Sequence, residues 1–183
     1  MLKVMIIRHA EKPHDRGRER GVDIDGVHAH HELTVRGWQR AGALVRFFAP
    51  AGGDADDGPI STPRTIFAAA ATLQSQSLRP QHTVRPLAEA LGVAVDVRHA
   101  SGEEAAIAAA ALAAAQPVLI SWRHSHIPAL ARALAGEQPA IPKVWPDERF
   151  DLVWIFASDT PAGPWRFSQI PQRLFAHDRA EGI

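Results

Sequence analysis

The side chains best suited to chemistry are arginines and histidines that fall next to one another: Arg8-His9 near the amino terminus, Arg79 in mid-chain, and Arg123-His124 further on. A neutral imidazole can attack phosphorus, and a protonated one can stabilise the equatorial oxygens of a phosphoryl group in transfer. Guanidinium forks match phosphate oxygens two at a time. Phosphoryl transfer asks mainly for positioning and positive charge, and this set supplies both. His126, two residues beyond His124, is the rival for the second imidazole. Glu11 either orients the pocket or neutralises a nearby cation. His14, His28, His30 and His31 have neither a fixed helical nor a zinc-finger spacing, and no cysteine assists them, so no metal is expected there. A solvated or substrate-facing flap that helps to bind an anionic substrate is the better reading of residues 12–32.

These residues need elements to carry them. Val4 to Ile7 is apolar at every position, as a strand buried on both faces should be. From Leu33, the residues Trp38, Ala41, Val45 and Phe48 recur at helical spacing and stop before Pro50. Thr65 to Ala71 reads as a second strand, Pro80 to Leu91 as a helix stopped by Gly92, and Val93 to Val97 as a third strand. Ser101-Gly-Glu-Glu104 has the form of a capping box, opening an alanine-rich helix to Ala115. Pro117 to Trp122 is a fourth strand, followed by a helix from Ile127 to Gly136. Asp151 to Phe156 and Trp165 to Ile170 flank a turn and form a terminal hairpin. Such alternation predicts a single domain over residues 1–183, a three-layer α/β/α sandwich with a mainly parallel central sheet and a C-terminal hairpin. Ligands of such sheets sit beyond the carboxyl ends of the strands. Arg8-His9, Arg79 and Arg123-His124 all follow strands and are therefore expected at one edge.

Composition narrows the partners. Twenty basic residues balance twenty acidic ones among 183, so no global field draws in nucleic acid or an anionic membrane. The absence of cysteine excludes disulfides, thiolate metal sites and a cysteine nucleophile, and is compatible with the cytoplasm. The longest apolar stretch, Ala105 to Ala115, is too short to span a membrane.

Taken in order, four segments resemble the histidine phosphatase superfamily, the phosphoglycerate mutase-like fold. Ile7-Arg8-His9-Ala10-Glu11 is similar to its Arg-His-Gly/Ala motif, and Leu33 to Ala41 to its Leu-Thr-x-x-Gly-x-x-Gln-Ala helix opening. Ser75 to Thr83 resembles its Ser-x-x-x-Arg-x-x-x-Thr segment, and Val118 to His124 with Ile127-Pro-Ala-Leu the surroundings of its second histidine. Trp122-Arg123-His124 departs from the usual Gly-His. The resemblance implies that His9 is the nucleophile, that Arg8 and Arg79 clamp phosphate, and that His124 contacts the transferred group. It offers Glu103 as a possible general acid, since some members carry a carboxyl near the third strand. Ser61-Thr-Pro-Arg64-Thr65 imitates the second-arginine motif but precedes its strand, and reads as loop. The expected activity is that of a phosphatase without cofactor, acting through a phosphohistidine on a small phosphorylated substrate or a phosphoprotein. The alternatives are a mutase on a phosphorylated metabolite, or a non-catalytic metal- or anion-binding module using the flap.

Overall fold

The computed structural model describes residues 1–14, 17–50, 58–138 and 140–183. The Asp-rich excursion at 51–57 lies outside them. A six-stranded sheet runs through the middle, built from β1 (Leu2–Arg8), β2 (Thr65–Ala68), β3 (Val95–Asp96), β4 (Val118–Trp122), β5 (Leu152–Ser158) and β6 (Arg166–Pro171), in the order β3-β2-β4-β1-β5-β6. The first four positions pair in parallel, whereas β5 is antiparallel to both β1 and β6.

Every residue of β1 after Leu2 is buried, and alternation decides which layer each one meets. Val4 and Ile6 join Val118, Ile120 and Trp122 against α3 (Glu104–Ala113) and α4 (Ile127–Ala135). Met5 and Ile7 join Ile66, Leu119 and Val153 against α1 (Val35–Phe48) and α2 (Arg79–Leu91). This is the three-layer sandwich that the alternation of strands and helices predicts. Among the described residues, no helix is long and apolar enough to cross a membrane.

Several boundaries are shorter than the apolar runs suggest. The second strand ends at Ala68, although Ala70 still bridges Ala100, and the third keeps only Val95 and Asp96. Beyond Ala68 only single bonds continue, from the Ala69 amide to the Ser121 carbonyl and from the Ala70 amide to the His99 carbonyl, and β3 lies at the sheet edge with β2 as its one neighbour. The capping box is corrected. Ser101 lies in a turn, and Glu103 occupies the N-cap without a side-chain bond into the helix. The Glu103 carboxylate instead accepts from the Ala100 amide at 2.6 Å, while Glu104 accepts from the Gly102 amide and the Trp122 indole. Two adjacent acids thus order the turn before α3, a task the sequence reading gave to Ser101 and Glu104.

Candidate active site

The His9 segment is anchored on both sides. Its amide donates to the Trp122 carbonyl, prolonging the β1–β4 ladder by one residue. The next amide, of Ala10, donates to Thr83 Oγ1 at 2.8 Å, and the same hydroxyl donates to the Arg79 carbonyl at 2.7 Å. Thr83 therefore ties the loop after β1 to the first turn of α2, whose first residue is Arg79. On the far side, Thr34 caps α1 by accepting from the Gly37 amide, and its own amide donates to the Glu11 carbonyl. A Cβ on Gly37 would stand 2.5 Å from that carbonyl oxygen, so only glycine permits so close an approach. The Leu-Thr-x-x-Gly pattern thus has a physical reason: it caps α1 and seats it against the backbone beside His9.

His9 is 5% exposed. Its Nδ1 lies 2.8 Å from the Ala10 carbonyl oxygen, which can only accept, so Nδ1 carries the proton and the Nε2 lone pair is left for chemistry. Burial, followed by the charge of Arg8, holds the imidazole well below its ordinary pKa, and Arg79 and His124 push it the same way. His9 is a neutral base at physiological pH.

His9, Arg79 and His124 line one cavity of about 260 Å3, together with Lys12, His31 and Arg123. The cationic side chains Lys12, Arg79 and Arg123 have no acidic counterpart among its lining residues. Arg79 donates from Nε and one Nη to the carbonyls of Glu32 and His30, which fixes its fork against the flap. Burial, and to a lesser extent Arg123, lower the Arg79 pKa despite Glu32 nearby. His124 opens the short 3-10 turn His124–His126 after β4. Its pKa is pushed down to about 4, first by burial and then by Arg8, so this ring too is neutral near pH 7.

Arg8 is placed differently. Its fully buried guanidinium turns to the segment before β5, donating to the carbonyls of Pro146, Asp147 and Arg149 and to Asp147 Oδ1, with its carbon 3.9 Å above the Phe150 ring. Arg8 does not line the cavity, and its Nε has no partner among the described residues. Burial lowers its pKa to about 10, against the opposing pull of Asp147. Glu103 is exposed and also stays off the cavity wall. His126 pairs with Glu104 at 3.0 Å and lines a neighbouring cavity without His9. Arg64 lies exposed in the loop immediately before β2.

Glu11 neutralises cations. It accepts from Arg40 Nε and Nη2 at 2.9–3.1 Å and from Arg36 at 3.4 Å, and Arg40 reaches on to Asp178. A cavity of about 350 Å3 beside this cluster carries charges of both signs, and neither His9 nor His124 lines it. Another of about 350 Å3 lies under the flap, lined by Arg20, His14, His28 and His30 and sharing Lys12, His31 and Arg79 with the first. Among the described residues, no group of three or more His, Cys, Asp or Glu is arranged to hold a metal ion.

No protein-family model matches the chain, and no curated protein matches it by sequence. Solved structures do match. The protein histidine phosphatase SixA, complexed with tungstate, aligns at a TM-score of 0.60 and 14% identity over 93% of this chain and 97% of that one. The mycobacterial glucosyl-3-phosphoglycerate phosphatase Rv2419c, with VO3, aligns at 0.55 and 15% over 91% and 96%, and mycobacterial hydrolase 1 at 0.54 and 15% over the same shares. The chain has the histidine phosphatase fold. Within that fold, sequence reasoning passed over three residues at the site. Lys12 was assigned only to the flap. Thr83 was a motif letter without a task. Asp147 lay in a stretch, Ile141 to Phe150, assigned to no element. A signal for Asp147 existed: a terminal hairpin whose first strand runs antiparallel to β1 must enter at the carboxyl edge of the parallel strands.

Proposed function

We propose that the chain is a phosphatase that hydrolyses a phosphomonoester or phosphoramidate through a phosphohistidine on His9. The observation that carries this reading is the His9 tautomer: Nδ1 is committed to the Ala10 carbonyl, leaving an unprotonated Nε2 on a ring that lines a cationic cavity with Arg79 and His124. In the first step the Nε2 lone pair attacks phosphorus, the bond to the leaving oxygen or nitrogen breaks, and that atom takes a proton. In the second, water attacks the phosphohistidine, the P–N bond breaks, and phosphate leaves with His9 restored. Arg79, Arg123 and Lys12 supply positive charge to the oxygens, and the neutral His124 can donate its one N–H, at the Nε2 that lies 3.3 Å from Asp147 Oδ1. Oxyanions held by two proteins of this fold, tungstate by SixA and VO3 by Rv2419c, support an oxyanion-binding site.

Among the described residues no carboxyl group lines the cavity, and Asp147 beside it is held as a carboxylate against Arg8, Lys12 and His124. The leaving group therefore depends on its own basicity or on solvent for its proton, which favours phosphoramidates and acidic alcohols. Rapid quench with a labelled aryl phosphate should trap an acid-labile, base-stable phosphoenzyme that His9→Ala lacks. Failure to trap it while turnover persists would reject the mechanism.

A further inference from the structure

The Asp147 carboxylate sits where three donors converge. Its Oδ1 lies 2.9 Å from Arg8 Nη2, 3.3 Å from His124 Nε2 and 3.5 Å from Lys12 Nζ. Two of these, Lys12 and His124, line the cavity with His9, while the third belongs to a guanidinium otherwise closed off from it. An anionic oxygen held by an arginine, a lysine and an imidazole is the arrangement a phosphoryl oxygen would adopt. The side chains at this point differ sharply in freedom. The Arg8 side chain is fully buried and its Nε has no partner among the described residues, whereas the side chain of Asp147 is 57% exposed. The exposed Asp147 has room to rotate into solvent, while the buried Arg8 cannot retreat.

We infer that Asp147 is a displaceable stand-in for phosphate: its carboxylate occupies the donors of Arg8, Lys12 and His124 in the empty site and yields them to an incoming oxyanion. This rests on the phosphatase reading and adds a property to it. The intrinsic affinity of the site for phosphate is partly spent on expelling an internal competitor. The same carboxylate then returns to help to eject the product. Asp147 is thus a positioning residue that acts through Arg8 and His124. No proton or bond changes hands in the exchange, only the partner of three donors.

The alternative is that Asp147 merely holds Arg8 and His124 in place. The two roles predict opposite signs. Inorganic phosphate binding to the full chain is measured by calorimetry for the wild type, Asp147→Asn and Asp147→Ala, with circular dichroism to verify folding. The Asn variant keeps the size of the side chain and the backbone carbonyl that Arg8 uses, so it remains informative if Ala disturbs the loop. Displacement predicts phosphate binding about tenfold tighter in both variants, the scale of losing several partly exposed charge pairs, with KM for an aryl phosphate falling in parallel and kcat not rising. Unchanged or weaker binding in the variants, with the wild type binding phosphate, overturns the displacement role alone. If neither wild type nor variants bind phosphate, the phosphatase reading falls with it.

Discussion

Thr83 offers the sharpest test of how the fold holds His9, the proposed nucleophile. The residue is fully buried, and its hydroxyl accepts from the Ala10 amide while donating to the Arg79 carbonyl. Thr83→Val keeps the volume and branching but removes both bonds. The Arg79 carbonyl can still be served by the amide four residues on in α2. The Ala10 amide cannot be, since Ala10 is fully buried and its bond to Thr83 is lost. Leaving one buried donor unsatisfied costs about 1–3 kcal/mol. At the usual urea dependence of about 1–3 kcal/mol per molar, the unfolding midpoint should fall by roughly a third of a molar or more. Turnover should fall as well, by about ten- to a hundredfold, because the freed amide lies next to the imidazole that must meet phosphorus. Urea titration and steady-state kinetics on Thr83→Val, with Thr83→Ser as the control that retains the hydroxyl, measure both. If the valine variant matches the serine variant in midpoint and in kcat, the bridge neither stabilises the fold nor positions His9.

Three further outcomes follow from the site. Glu103→Gln should leave kcat for an aryl phosphate within about twofold, since its carboxylate is exposed and bound to the Ala100 amide; loss of a general acid would cost about a hundredfold or more. The folded-state pKa of His124 is depressed from 6.5 to about 4, so the unfolded chain takes up the proton first as pH falls. The stability of the neutral ring is complete above about pH 6.5 and is lost as pH drops toward 4, and His124→Gln should flatten that part of the curve of urea midpoint against pH. Deleting residues 16–29 should raise KM for an anionic substrate more than it lowers kcat, because the cavity under the flap shares Lys12, His31 and Arg79 with the cavity lined by His9; an unchanged KM would remove the flap from substrate binding.

What could be read from the sequence was whatever repeats at the period of an element or follows the end of one. Val4–Ile7 announces a doubly buried strand, and the rule that ligands gather beyond strand ends groups His9, Arg79 and His124, which line one cavity. The limits of that rule explain the rest. It places backbone positions and leaves side-chain direction open, so Arg8, the last residue of β1 and next to His9, points away from it and is taken by the segment at 146–149. It also surveys only the ends of parallel strands, and so passes over residues that enter the same edge before the antiparallel β5.

The case of Arg8 and Asp147 shows why charge balance has to be worked out in three dimensions. In sequence they are 139 residues apart, and each reads as an ordinary charged residue. In the fold, a buried guanidinium without a counter-charge would be costly, so some carboxylate must reach it whenever the site is empty. On the proposed displacement, a substrate phosphate would serve as that counter-charge only during turnover. The exposed carboxylate of Asp147 meets the requirement in the interval, at the same donors, and can leave. If Arg8 recognises an oxyanion as proposed, its burial brings with it the need for a resident anion, and the strength with which that anion is held bounds how tightly substrate and product can bind.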